Sequence, residues 1–152
     1  MGTRHDFKLA FHNRLRDECL ELEDRGFHVI IAGDLNIARG PLDGYPNLRT
    51  WPAQHCLNRA DFNTKFFSPE ENERADAYVG PSPSKRAIPD NADSTEPRSS
   101  RAQRADRFDG VDVFRALHDG ERKYTYYPRT REWGASCDRV DLIITSRGTR
   151  TQ

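Results

Sequence analysis

The sequence has no long hydrophobic run, few cysteines and no net charge, and each absence excludes a class of protein. No stretch approaches the ~18–20 consecutive apolar residues of a membrane span, and the first residues lack the apolar segment of a secretory signal. Its three cysteines, Cys19, Cys56 and Cys137, form no C-x-x-C pair and are too scattered for a disulfide framework or a zinc site. We therefore expect a soluble intracellular protein with inert thiols and no membrane partner.

The charge balance gives little help to nucleic-acid binding. There are 24 Lys and Arg against 24 Asp and Glu, so the total charge attracts no phosphate backbone. Residues 1–100 hold 13 basic and 16 acidic residues, a net of −3, whereas residues 101–152 hold 11 and 8, a net of +3. The C-terminal part is therefore the more suitable for contacting DNA.

The N-terminal half predicts a helix followed by a strand. Apolar residues recur every three or four positions between residues 5 and 25, which indicates an amphipathic helix, and Gly26 is a typical end. Residues 27–32 are β-branched and nearly uncharged, which predicts a strand buried on both faces. That strand ends in Gly33-Asp34-Leu35-Asn36, and we expect its polar side chains at the strand's edge.

The rest of the chain predicts further elements around a disordered insertion. A helix is predicted over residues 52–67, a short helix or turn over 111–118, and strands over 123–127 and 139–145. The last strand would place Arg139 and Asp141 on one face. Residues 81–107 contain four prolines, ten charged residues and only five apolar ones, so we expect disorder over about 68–107.

The most informative cluster is the Gly33-Asp34-Leu35-Asn36 turn. Asp34 is suited to ligate a hard cation or orient a water, and Asn36 to donate its amide to an anionic oxygen. These are parts that phosphodiester hydrolysis requires. The same residue types also form ordinary turns, so a purely structural turn stays an alternative to a catalytic site. Similarly, the tyrosines at 124, 126 and 127 either stack on nucleic acid or belong to the core.

Four segments in order resemble the exonuclease III family of apurinic/apyrimidinic endonucleases, which belongs to the endonuclease/exonuclease/phosphatase superfamily. They are residues 29–37, 112–115, 124–127 and 138–143. Three further runs, residues 38–43, 58–63 and 133–138, look most like the second, fungal-type enzyme of that family. The resemblance covers nearly the whole chain outside residues 68–107.

The resemblance implies an α/β fold, here part of a four-layered α/β sandwich. It further implies Mg²⁺-dependent cleavage of DNA 5′ to an abasic site, with Mn²⁺ as a possible substitute and with 3′-phosphodiesterase or 3′–5′ exonuclease activity as a possible addition. The expected partner is DNA containing abasic sites, and the expected location is the nucleus. A sliding clamp or another repair protein as a partner stays an open question.

The family's roles transfer to individual residues. Asp34 would activate the attacking water and Asn36 would bind the scissile phosphate, both close to the metal. Asp141 would orient the family's catalytic histidine. Tyr126, Tyr127 and Val140 would line the pocket for the abasic sugar. From charge alone, and not from the resemblance, Arg115 and Arg139 are candidate contacts to DNA phosphates. For Arg139, pairing with Asp138 or Asp141 is an equal alternative.

Several family elements have no counterpart in the sequence. The N-terminal Thr-x-Asn and Gln-Glu elements and the final Ser-Asp-His element are absent. We therefore expect residues 1–152 to form an incomplete domain of weak or no activity, with apolar strand faces exposed at residues 29–32 and 140–144. Two alternatives stay open. One is an inositol polyphosphate 5-phosphatase-like enzyme, because residues 136–140 resemble the Trp-x-Asp-Arg-Ile-type element of that family. The other is a non-catalytic DNA-binding module.

Overall fold

The structure, a computed structural model, describes residues 4–76 and 106–147, which form a mixed α/β fold. The helices are α1 (His5–Asp24), α2 (Gln54–Phe66), α3 (Pro69–Asp76) and α4 (Val113–Leu117), with a 3₁₀ turn at Pro41–Asp43. The strands are β1 (Ile30–Asp34), β2 (Gly44–Tyr45), β3 (Gly110–Asp112), β4 (Cys137–Asp138) and β5 (Asp141–Ser146). Within these two ranges, no helix has both the length and the apolar character needed to cross a bilayer.

The predicted N-terminal helix is confirmed as α1, which ends just before Gly26 as predicted. Gly26 has a φ of +83°, a left-handed conformation that glycine adopts without strain. The backbone N–H of Phe27 donates to the carbonyl of Leu22 at 3.0 Å, which closes the helix end. The chain is thereby turned directly from α1 towards β1.

A three-stranded antiparallel sheet in the order β1-β5-β3 is the centre of the fold. Strand β5 pairs with β1 from Ile30 opposite Thr145 to Asp34 opposite Asp141. It pairs with β3 from Gly110 opposite Ser146. Because β5 is the central strand, β1 and β3 are both held in the sheet by their pairing with it.

One face of this sheet is covered by α1 and α2. The core between them contains the inward side chains of the strands and a group of helix and loop residues, which comprises Cys19, Val29, Ile31, Ile37, Phe62, Phe66, Phe67, Phe108, Leu142 and Ile144. Phe62 and Phe66 stack with ring centroids 4.6 Å apart. Burial of these aromatic rings is the largest source of apolar stabilisation visible in the fold.

The opposite face of the sheet is open. Ile30 is 68% exposed and Ile143 is 52% exposed, and Ala32, which lies opposite Ile143, is exposed as well. The prediction that β1 is buried on both faces is therefore wrong, because no described element packs on this side of the strand. The expected exposure of apolar strand residues is confirmed at Ile30 and Ile143.

The aromatic segment and the last strand differ from their predictions. Residues 123–127 form no strand; Tyr126 makes a single antiparallel bridge with Asp138. The chain pairs with β2 as strand β4, leaves that small sheet at Arg139, and enters the central sheet only at Asp141. Arg139 and Asp141 therefore do not share a face, as Arg139 is buried and Asp141 exposed.

The predicted insertion begins later than expected, because a helix occupies its first residues. Residues of α3 lie inside the range 68–107, and Glu71 and Ala75 of this helix are buried. Glu71 accepts from Arg74 at 3.3 Å and pairs with Arg147 at 3.3 Å, which ties α3 to the end of β5. The remainder of the predicted insertion, residues 77–105, lies outside the described residues.

Candidate functional site

The turn after β1 places Asp34 and Asn36 on the surface, as the sequence predicts. Both residues are exposed. The backbone N–H of Asn36 donates to Oδ1 of Asp34 at 2.9 Å, and Asn36 has a left-handed φ of +52°. Nζ of Lys8 donates to the carbonyl oxygen of Asn36 at 2.9 Å. Helix α1 therefore supplies a cation that fixes the turn.

Asp141 lies directly opposite Asp34 in the antiparallel register, at the same edge of the sheet. Its backbone N–H donates to Oγ1 of Thr125 at 3.1 Å, which holds the start of β5. Directly opposed like charges destabilise a sheet by a small amount, and no described residue forms an ion pair with either carboxylate. The pair of exposed carboxylates is therefore available to a cation.

A cavity of about 170 Å³, here called the polar cavity, lies beside Asn36. Tyr126 and Val140 line it, as the resemblance implied for the sugar pocket, whereas Tyr127 is not among its lining residues. Tyr127 instead stacks on Trp133, with ring centroids 4.2 Å apart. The structure thus brings together three of the predicted site residues and places Tyr127 apart from them.

The polar cavity is lined by an excess of positive charge. Lys8, Arg49 and Arg59 line it together with one carboxylate, Asp138, which pairs with Arg49 at 2.6 Å. Burial lowers the pKa of His55, the three cations lower it further, and Asp138 opposes them. Burial also lowers the pKa of Lys8, against the charge of Asp34. The cavity therefore has a positive potential that favours an anion.

A second cavity, of about 420 Å³, lies on the open face of the sheet and is called the apolar cavity. Phe114, Leu117 and Ile143 line it, and its charged lining residues are Lys123, Arg139 and Asp141. Leu117 is among the most exposed large apolar residues of the described chain. Asp141 therefore lies between this apolar surface and the turn that carries Asp34.

The two arginines predicted as DNA contacts belong to a buried ion-pair cluster, called the arginine network. The network comprises Arg39, Asp43, Asp112, Arg115 and Arg139, all at most 4% exposed. Arg139 donates to Asp43 through Nε at 2.8 Å and to Asp112 through Nη2 at 2.6 Å. Arg115 donates to Asp43 through Nη2 at 2.6 Å. The guanidinium groups of Arg115 and Arg139, which were predicted to contact DNA, are therefore paired with buried carboxylates in this structure.

Asp112 is held ionised by several donors of the network. Burial opposes the charged form of Asp112, yet hydrogen bonds and charge from Arg139 and Arg39 keep its pKa below the ordinary value. The hydrogen bonds that Arg139 donates to Asp112 and Asp43 keep its own pKa above the ordinary value in spite of burial. The Arg39 guanidinium also lies 3.2 Å from the centroid of the Phe67 ring. The network joins the 3₁₀ turn, α4 and the β4–β5 junction into one rigid unit.

A divalent metal has a partial set of ligands here. Among residues 4–76 and 106–147, no group of three or more His, Cys, Asp or Glu side chains is arranged to hold a metal ion. Asp34 and Asp141 nevertheless supply two opposed carboxylates, and Asn36 a neighbouring amide oxygen. Mg²⁺ is commonly bound by only one or two carboxylates, with waters and substrate phosphates completing its shell. The donors present therefore fit Mg²⁺.

Sequence reasoning missed the cations of the polar cavity and most of the arginine network. Lys8 lies on the predicted helix but off its apolar positions, and Arg49 lies in a segment predicted only as irregular. Asn58 and Arg59 belonged to a run noticed for its resemblance alone. The sequence contains one signal for the network. Arg39 and Asp43 lie within residues 38–43, a segment that takes part in the family resemblance.

Comparisons of the chain with protein-family models, with curated proteins and with solved structures gave no match.

Proposed function

We propose that the chain belongs to a Mg²⁺-dependent DNA repair nuclease that cleaves the phosphodiester backbone 5′ to an abasic site. The observation that carries this proposal is the placement of Asp34, Asn36 and Asp141 at one edge of the sheet, beside a cationic cavity. A carboxylate pair next to a positive pocket supplies both a cation site and attraction for phosphate, which is what phosphodiester hydrolysis requires. The resemblance to the exonuclease III family supports the choice of abasic DNA.

In this proposal each residue has a limited task. Asp34 and Asp141 hold the cation, and Asp34 orients the attacking water. When bound, Mg²⁺ supplies positive charge that polarises the phosphate and lowers the pKa of water. Asn36 donates its amide to a phosphate oxygen without adding a like charge. Tyr126 and Val140 provide the apolar wall of the pocket for the abasic sugar. Because Asp34 and Asp141 are the only carboxylates of the set, we expect slow incision.

The finer fold and the cellular setting are part of the same proposal. The open face of the β1-β5-β3 sheet, with Ile30 and Ile143 exposed, supports a sandwich in which a further layer covers this side. The four-layered α/β sandwich of the superfamily has such a layer. Nuclear location follows from the proposed DNA substrate.

The direct test uses duplex DNA that contains one abasic-site analogue. We expect cleavage on its 5′ side that requires Mg²⁺ or Mn²⁺ and stops with EDTA. Asp34→Asn keeps the size of the side chain but removes its charge, and we expect it to lower the rate about a hundredfold or more. Asp119→Asn, a change at an exposed aspartate, serves as the matched control.

Three outcomes contradict the proposal. One is cleavage that persists in EDTA, another is a rate that Asp34→Asn leaves unchanged, and the third is the absence of both incision and any preference for abasic over intact duplex. Release of phosphate from a soluble inositol polyphosphate, without action on abasic DNA, would favour the phosphatase alternative.

A further inference from the structure

The polar cavity contains a buried amide group without a partner. Asn58 is 1% exposed and lies in the second turn of α2. Its Oδ1 is 2.6 Å from Nδ1 of His5. Its Nδ2 has no hydrogen-bond partner among the described residues. A buried donor left unpaired costs about 1–3 kcal/mol, so this wall of the cavity lacks one acceptor, and a bound anion would not disfavour it further.

The surrounding charges specify the kind of ligand. Lys8, Arg49 and Arg59 line the same cavity, and Asp138 is the one carboxylate that faces them. Asp138 is already paired with Arg49 at 2.6 Å, so it offsets one of the three cations and a net positive charge remains. The pKa of the neighbouring His55 is lowered, with burial as the first cause and these cations as the next. An anion is therefore the matching occupant.

The cations are held in place before any ligand binds. Lys8 is fixed by the carbonyl of Asn36 at 2.9 Å. Arg59 donates through Nε to the carbonyl of Ala38 and through Nη2 to the carbonyl of Arg49, both at 2.7 Å. Carbonyl oxygens carry no formal charge, so these contacts hold the side chains without neutralising them. Preorganised donors bind an oxyanion at a lower entropic cost than free side chains do.

We propose that the polar cavity is a phosphate-binding site in which Lys8 and Arg59 hold the oxyanion. Its volume of about 170 Å³ equals roughly five water molecules, which is room for a phosphate group. The site differs from the carboxylate edge at Asp34 and Asp141, and it needs no metal. The phosphate belongs either to a nucleic-acid backbone or to a free sugar phosphate, which present the same chemistry.

The test measures binding of inorganic phosphate to the whole chain in EDTA by NMR titration, with chloride at equal ionic strength as the reference. We expect phosphate to shift the amide signals of residues around the cavity. Lys8→Gln removes one charge-assisted hydrogen bond and should raise the dissociation constant about tenfold. Arg14→Gln removes the same charge from an exposed position of α1 and should leave it unchanged.

Asn58→Asp gives a second, independent measurement. The new carboxylate retains an oxygen for His5 but adds a negative charge to the wall of the cavity, so phosphate binding should be lost. Unfolding curves show whether this variant folds, and Lys8→Gln decides the matter if it does not. Phosphate shifts that lie elsewhere, or equal affinities of Lys8→Gln and Arg14→Gln, would overturn the assignment.

A final comparison identifies the source of the phosphate. Loss of affinity of Lys8→Gln for an abasic oligonucleotide supports a backbone phosphate, and a loss confined to deoxyribose 5-phosphate supports a free sugar phosphate. Since no step measures cleavage, phosphate binding without incision contradicts only the proposed nuclease. Incision without phosphate binding in the cavity contradicts only this inference.

Discussion

Gly110 is a position at which one missing side chain sets the packing of the core. A Cβ atom at this residue would lie 2.6 Å from Cγ2 of Ile144 and 2.9 Å from the carbonyl oxygen of Phe66. The second contact is with backbone, which does not move aside as a flexible side chain does. The close approach of β3 to β5 and α2 therefore requires glycine.

We expect Gly110→Ala to lower the free energy of unfolding by about 1–3 kcal/mol, measured by chemical denaturation. Gly26→Asn is the contrasting variant, because a Cβ at Gly26 meets no atom within 4 Å and asparagine tolerates its left-handed φ. A cost of about 1 kcal/mol or less is expected there. Equal losses in the two variants would show that steric crowding at Gly110 is not what matters.

At the scale of elements, the arginine network fixes how the loops meet the central sheet. Asp43 accepts from the backbone N–H of Arg39 at 3.1 Å as well as from the side chains of Arg115 and Arg139. The backbone N–H of Arg139 in turn donates to the carbonyl of Asp43 at 2.8 Å. The 3₁₀ turn thus determines where the chain leaves β4 and enters β5.

Removal of one carboxylate from the network should be costly. Asp43→Asn leaves three buried arginines facing a single carboxylate, and an uncompensated buried charge costs about 3–5 kcal/mol. We expect a loss of that size in the free energy of unfolding. Asp17→Asn, at an exposed position of α1, should change it by less than about 0.5 kcal/mol. A similar small loss for Asp43→Asn would mean that water replaces the network readily.

The same junction explains how far sequence reasoning reached. Local periodicity was sufficient for α1 and α2, and the turn after a β-branched run was sufficient to place Asp34 and Asn36 at a strand's edge. Alternation along residues 139–145 was misleading, because it assumes one unbroken strand. The break at Arg139 depends on its contacts with Asp43, 96 positions away along the chain.

The site was predictable only where local motifs mark it. Asp34 and Asp141 were both predicted as site residues, and the antiparallel register places them opposite each other. Lys8 and Asn58 carry no such signal, since each lies on a helix and reaches the polar cavity only through the way that α1 and α2 pack. Tertiary packing of this kind is absent from local pattern. Charge alone likewise could not predict that Arg115 and Arg139 pair with the buried carboxylates of Asp43 and Asp112.

At the scale of the whole molecule, the central sheet separates a packed side from an open side, and two adjacent residues of β5 test that division. Ile144 is fully buried among the aromatic rings, whereas its neighbour Ile143 is 52% exposed on the open face. The residues have the same side chain and the same strand, so their environments are the only difference. The apolar cavity adds Leu117 and Phe114 to the open side.

We expect Ile144→Ala to lower the free energy of unfolding by about 2–5 kcal/mol, because it leaves a cavity in the core. Ile143→Ala should cost less than about 1 kcal/mol, since half of its surface is already in water. Contiguous exposed apolar surface also promotes association. Sedimentation at increasing concentration should therefore show less self-association for Ile143→Ala than for the unaltered chain. Equal destabilisation by both variants would mean that the face around Ile143 is covered in solution and is an interior surface.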